Sequence, residues 1–244
     1  QGKVRLIFQP GEEVLPGGAS KMIEADILKD KEIKYIFAQH IDPMQDSGTI
    51  CLPLKEAMAS TNELFWTISG KATHAAQPHL GNDAILAAVN IINFMQSLIT
   101  KFRNPITPAI ISICSINGGN TTNIFPNEVK MQGVMRTFDK VLRKELEELI
   151  INKSNDIAKL YNTSCSIDIV HGYPALINNE KAVNVVKKAT TNIFGEEKIK
   201  ITDPKLLAED FAYFSQKIPA CFWFIGANNP NNTEKYTLHS PKLN

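Results

Sequence analysis

A chain of 244 residues is long enough for one large domain or two of medium size, and 43% hydrophobic with 21% charged residues is ordinary for a globular protein. With 26 Lys and Arg against 25 Asp and Glu, no global field would draw the chain to nucleic acid or to an anionic membrane surface. No run of about 18 consecutive apolar residues occurs, so no membrane span is expected, and partners must be sought in a local site that takes a small molecule. Cys51, Cys114, Cys165 and Cys221 lie far apart, form no C-x-x-C pair and sit mostly in apolar stretches. That pattern points to buried, reduced thiols in a reducing compartment, the cytoplasm. The chain begins at Gln1 and enters a strand-like run almost at once, so a lost natural N-terminus is expected and a signal peptide ahead of it stays an open alternative.

In chain order, Val4 to Phe8 reads as a strand broken by Pro10-Gly11. Ala19, Met22, Ile23 and Ile27 recur at helical spacing, and Tyr35 to Ala38 reads as a second strand. This βαβ-like start predicts an α/β layer. From about Leu54 the pattern changes. Leu64, Trp66 and Ile68 alternate as a strand, and Asn82 to Lys101 carries a helical stripe with Asn82 or Asp83 as N-cap. Pro108 to Ile116 and Glu128 to Phe138 read as strands. Asp139 caps a helix whose buried side is marked by Leu142, Leu146, Leu149, Ile157 and Leu160, and Ser164 to Val170 alternates as a last strand.

The order β-α-β-β-α-β matches the ferredoxin-like split βαβ arrangement, a two-layer unit with its own core. It is read as an α+β domain at 54–171, inserted into an α/β domain made of 1–53 and 172–244. In the second part of that α/β domain, Asn178 to Phe194 and Glu209 to Gln216 read as helices, and Ala220 to Gly226 as a strand that rejoins the first layer.

Residues able to carry chemistry fall at element ends. Gln9-Pro10-Gly11-Glu12-Glu13 follows the first strand, where open α/β layers place their ligand crevice. Adjacent carboxylates repel, and a metal ion offsets the repulsion if one coordinates it while the other stays free as a general base. The alternative is a pair of acids favoured only by a helix N-terminus. His40 ends the second strand and His239 lies in an irregular tail. Each suits either metal ligation through a neutral imidazole or a structural hydrogen bond. His74 and His79 stand in a loop that is either functional or merely exposed. Arg136 is either a solvated charge or a guanidinium facing a cleft and suited to a carboxylate.

Read together, Gln9-Pro10-Gly11-Glu12-Glu13, Ala38-Gln39-His40, Gly70-Lys71-Ala72-Thr73-His74-Ala75-Ala76-Gln77-Pro78-His79, Asn123-Ile124-Phe125-Pro126, Gly133-Val134-Met135-Arg136, Glu209-Asp210-Phe211 and Leu238-His239-Ser240-Pro241 resemble the M20 metallopeptidases. The likeness is to their amidohydrolase branch, which includes hippurate hydrolases, N-acyl-amino-acid amidohydrolases and auxin-conjugate hydrolases. It implies a catalytic α/β domain holding two divalent ions per subunit (zinc, manganese, cobalt or nickel) and an inserted lid domain that mediates homodimerisation. By this resemblance Glu12 is the general base and acid. Glu13, His40 and His239 are metal ligands. His74 is the lid histidine that stabilises the oxyanion, usually reaching the active site of the partner subunit, and Asn123 and Arg136 help hold, from the lid, the carboxylate of an N-acyl amino acid or small peptide-like amide.

One departure stands out. The branch supplies two further ligands from an H-x-C-G-H-D segment upstream of the glutamates, and no Cys or His precedes His40 here. The resemblance therefore implies a catalytic domain truncated at its N-terminus. Its alternative is an inactive homologue or gene fragment that keeps the fold for binding or dimerisation.

Overall fold

The computed structural model describes residues 2–30, 32–104, 106–229 and 237–241. The chain forms two compact units, Gln1–Ala59 with Tyr173–Asn244, and Ser60–Gly172.

The first unit carries α1 (Gly18–Glu24), β1 (Ile36–Asp46), β2 (Ile50–Leu52) and β3 (Glu56–Met58) from its first segment. Its second segment adds β8 (Leu176–Ile177), α4 (Glu180–Phe194), β9 (Ile199–Ile201), α5 (Ala212–Ser215) and β10 (Ala220–Asn228). The main sheet runs β1-β10-β2-β9, and β3 pairs with β8 in a separate two-stranded ladder. Glu56–Met58, which the sequence pattern assigns to the inserted segment, thus pairs within the first unit.

β1 and β10 run parallel in continuous register from Ile36↔Ala220 to Asp42↔Gly226, with His40 opposite Phe224. Ala220 to Ile225 reads as a near-continuous apolar run, as suits a central strand buried along most of its length. The core beneath holds Phe211, Phe214, Phe222 and Phe224 with Ala19, Ile36 and Leu176, and Ile7, Met22 and Ile23 pack on it. α4 is capped by Asn179, whose side chain accepts from the Lys181 and Ala182 N–H groups. It buries Ala182, Val183 and Val186 with Leu52 and Cys221.

The run Val4 to Phe8 is not a strand. Val4 and Phe8 are 90% and 86% exposed, and only Ile7 of this stretch packs on the core. Alternation predicts a strand only where a neighbour takes the backbone N–H and C=O groups. Residues 2–10 have no ladder partner among the described residues.

The second unit carries β4 (Ser60–Ser69), α2 (Ala84–Lys101), β5 (Ala109–Asn117), β6 (Glu128–Thr137), α3 (Lys140–Leu160) and β7 (Ser164–His171). Its sheet order is β5-β6-β4-β7 with every neighbouring pair antiparallel, the strand order of a split βαβ unit. Leu64, Trp66 and Ile68 of β4 and Val129, Met131 and Met135 of β6 face one way. They pack against Ile91, Met95 and Leu98 of α2 and Leu146 and Ile150 of α3.

Asp83 caps α2 by accepting from Leu86 N–H, and Asp139 caps α3 by accepting from Val141 and Leu142 N–H, each cap contributing about 1 kcal/mol. α2 is long and apolar enough to cross a membrane by length and composition, and in this unit its Ala87, Ile91, Met95 and Leu98 are buried in the core. Three of the four cysteines are buried as free thiols. Cys114, expected inside, is exposed on β5, an edge strand.

Candidate active site

Glu12 and Glu13 sit in a tight turn ahead of α1, in the first unit. Gly17 takes φ +85°, in the left-handed region open to glycine, and a Cβ there would stand 2.5 Å from Asp210 Oδ2. A Cβ on Gly18 would collide with the Pro10 carbonyl. The two glycines let the loop fold back on itself, with the carboxylates at its bend. Tyr173, buried, donates its hydroxyl to the Glu12 backbone carbonyl.

Burial raises the Glu12 carboxyl pKa above its ordinary value, with the charges of Glu13 and Asp210 adding to it. The Asp210 backbone N–H and the His40 imidazole partly offset the rise. A carboxylate displaced toward neutrality in this way is suited to take and return a proton.

His40 stands inside β1, which continues to Asp46, and not at the strand's end as the sequence pattern predicts; its Nδ1 lies 2.8 Å from the Ile41 carbonyl oxygen. That contact holds the ring as the Nδ1–H donor and leaves Nε2 with its lone pair free, the usual disposition of a metal-binding histidine. His239, at φ +64°, turns Nε2 to 3.6 Å from Glu13 Oε1. One carboxylate and two imidazoles fit a zinc, manganese, cobalt or nickel ion.

A second acidic group lies beside them. Among the described residues, Glu12, Glu209 and Asp210 are the group whose ligand atoms all come within 4.8 Å of one another, and Glu13, His40 and His239 are not drawn together so tightly. Part of this group's acceptor capacity is used within the protein. Asp210 Oδ1 accepts from Gln9 Nε2 and Oδ2 from the Ala19 N–H, and Glu209 Oε1 accepts from the Phe211 N–H. Burial pushes the Glu209 carboxyl up to about 8.

In the second unit, His74 and Asn123 are brought side by side by a short ladder. Ala75 N–H donates to the Asn123 carbonyl and Phe125 N–H to the Thr73 carbonyl, around a bridge between His74 and Ile124. His74 Nδ1 accepts from the Ala76 N–H at 3.1 Å, so Nε2 carries the proton and is a free donor on an exposed ring. This is the opposite tautomer to that of His40. Arg136 stands in β6 between Thr61 and Ile110, on the strand face away from the helices. It is half-buried, its Nη1 is buried with no hydrogen-bond partner, and burial lowers the guanidinium pKa. His79 is exposed in a short helical turn.

The model of peptidase family M20/M25/M40 matches residues 1–244. The chain belongs to that family. Thermostable carboxypeptidase 1 of Saccharolobus solfataricus is 32% identical over 244 residues, which cover 99% of this chain and 61% of the relative. N-acetyl-L-cysteine deacetylase of Bacillus subtilis is also 32% identical, over 95% of this chain and 55% of the relative. Among solved structures, the YxeP protein of Bacillus subtilis, described as a dinuclear metal binding peptidase of the M20 family, matches with a TM-score of 0.78 at 28% identity. That match covers 97% of this chain and 58% of the other. The chain thus spans about six-tenths of the length of the curated relatives it matches.

Within this M20/M25/M40 chain, the surroundings of Glu12 were assigned no role by sequence. Gln9, Tyr173 and Asp210 meet there from three distant segments. Gln9 and Glu209-Asp210-Phe211 both stand in segments that carry the family resemblance, yet nothing local in the sequence brings them together.

Proposed function

We propose that the chain is part of a metal-dependent amidohydrolase that removes the acyl group from an N-acyl amino acid or a small peptide-like amide. The observation that carries this reading is the geometry around Glu12. A partly buried carboxylate with a raised pKa stands next to an exposed carboxylate, Glu13, that faces His239. His40 lies close by with its Nε2 left free. Proton transfer and ligation are thereby divided between two neighbouring glutamates.

Glu13, His40 and His239 would hold divalent ions, two per subunit with ligands from outside this chain. The bound metal would supply a water whose pKa falls from about 15.7 to about 7. Glu12 takes the proton from the attacking water and passes it to the departing nitrogen, so that the amide C–N bond breaks and a carboxylate and an amine leave. The second unit acts as a lid and dimerisation domain. From it His74, reaching the active site of the partner subunit as the family resemblance implies, would donate an Nε2–H hydrogen bond to the oxyanion, and Asn123 and Arg136 would help hold the substrate carboxylate. The relatives named as a deacetylase and a carboxypeptidase support amide hydrolysis as the reaction class.

The test is hydrolysis of a panel of N-acyl amino acids by the full-length protein loaded with zinc or manganese, with Glu12→Gln as control. Turnover that the control loses supports the reading. A folded, metal-loaded protein that hydrolyses none of the panel overturns it and favours a homologue that only binds.

A further inference from the structure

We propose that Asp210 is a positioning residue whose two carboxylate oxygens tie both ends of the Gln9–Ala19 loop and so hold Glu12 and Glu13 in one geometry. The inference rests on the proposed function for what the loop does, and on the hydrogen bonds alone for the tie.

Asp210 is fully buried. Oδ1 accepts from Gln9 Nε2 at 2.5 Å, at the loop's entry, and Oδ2 accepts from the Ala19 N–H at 2.9 Å, at its exit into α1. Between these ties, Tyr173 donates to the Glu12 carbonyl. The loop is thus held at its start, bend and end, with both glutamates between the outer ties.

The anchor itself is rigid. Asp210 immediately precedes Phe211, Ala212 and Phe214, which are buried in the same core as Ala19. Gly17 lies so close to Asp210 that any side chain there would strike the carboxylate, which shows that the loop is fitted to this residue. Carboxylate hydrogen bonds to N–H groups are roughly twice as strong as neutral ones, and α1 is too short to hold the turn by its own helical bonds. A loop freed at both ends lets Glu12 and Glu13 drift, and a misplacement of about 1 Å can cost about 10²-fold in rate.

The experiment compares full-length wild type with Asp210→Ala, Asp210→Asn and Gln9→Ala. Three quantities are read: Mn²⁺ affinity by calorimetry, amide hydrogen exchange across residues 10–19, and kcat and KM. Folded Asp210→Ala should bind Mn²⁺ about 10- to 100-fold more weakly and exchange at least about tenfold faster at the Ala19 amide. It should also lose about 10²-fold in kcat with KM little changed. Asp210→Asn should recover most of this, because its amide oxygen still accepts from Ala19 while Gln9 turns its own oxygen to the new NH₂ group. Folded Asp210→Ala with wild-type exchange and Mn²⁺ affinity overturns the proposal.

If Asp210→Ala does not fold, Gln9→Ala, which cuts one tie at a half-buried site, decides by the same readouts: faster exchange at the loop's entry supports the tie, and unchanged exchange overturns it. A wild type that turns over no substrate sinks the proposed function alone, because exchange still decides the tie.

Discussion

His239 Nε2 stands 3.6 Å from Glu13 Oε1, joining residues from opposite ends of the chain. Two groups at that separation are too far apart for a strong hydrogen bond and close enough to share an ion. Replacing Glu13, His40 or His239 by Ala should each reduce the zinc or manganese retained after removal of excess metal. The loss should exceed the roughly 10- to 100-fold typical of an outer-shell partner. Elemental analysis of the three variants checks this, and retention equal to wild type in any one removes that residue from the ligand set.

Glu209 makes stability depend on pH. Its folded carboxyl is raised to about 8 from an ordinary value of 4.5 by burial, so the folded state holds this proton more tightly than the unfolded chain. The stabilisation is fully present below pH 4.5 and is lost as the pH rises through about 8, at up to about 1.4 kcal/mol per pH unit within that window. Thermal melts should show a lower Tm at pH 9 than at pH 5. Glu209→Gln keeps the acceptor for the Phe211 N–H and removes the titration, so its Tm difference should shrink. A difference as large as wild type would assign the pH dependence to other groups.

What sequence could reveal follows from how local each feature is. Leu64, Trp66 and Ile68 announce β4 because alternation is a property of neighbouring residues, and Asp83 and Asp139 announce their helices because a cap acts within three residues. β2, β3, β8 and β9 are two or three residues long and exist only through partners far along the chain, so no local pattern marks them. Val4 to Phe8 has the pattern but no ladder partner among the described residues. The candidate site divides the same way. Glu12 and Glu13 are adjacent in sequence and legible together, whereas the contact of Asp210 with Gln9 and Ala19 depends on the fold. Tautomers lie furthest from sequence: His40 and His74 are told apart only by the backbone group each ring nitrogen meets.

The tautomer of His74 gives a rate prediction. With Nδ1 already accepting from Ala76, Nε2–H is the group left to donate, and removing one oxyanion donor costs about 10²- to 10³-fold in kcat. His74→Ala in the full-length protein should show that loss with metal content unchanged. A loss of metal in His74→Ala would instead make it a ligand, contrary to its protonated Nε2.

Trp66 donates its indole N–H to Ser154 Oγ at 3.1 Å inside the core of the second unit. Ser154→Ala leaves that buried donor without its acceptor and should cost about 1–3 kcal/mol, read by denaturant unfolding. In a Trp66→Phe background the same substitution should cost much less, since the donor is gone. Equal costs in the two backgrounds would show that Ser154 acts through packing.

Arg136 carries a cost of the opposite kind. A half-buried guanidinium with an unpaired Nη1 destabilises the fold unless something completes it, and a substrate carboxylate is the matching partner. Arg136→Met should therefore leave Tm unchanged or raise it. Arg136→Lys keeps the charge and loses the fork, so KM for an N-acyl amino acid should rise about 10- to 100-fold. KM for the matching amide, which lacks the carboxylate, should not move. If both substrates weaken equally, Arg136 shapes the sheet rather than reading the carboxylate, and recognition must be assigned elsewhere.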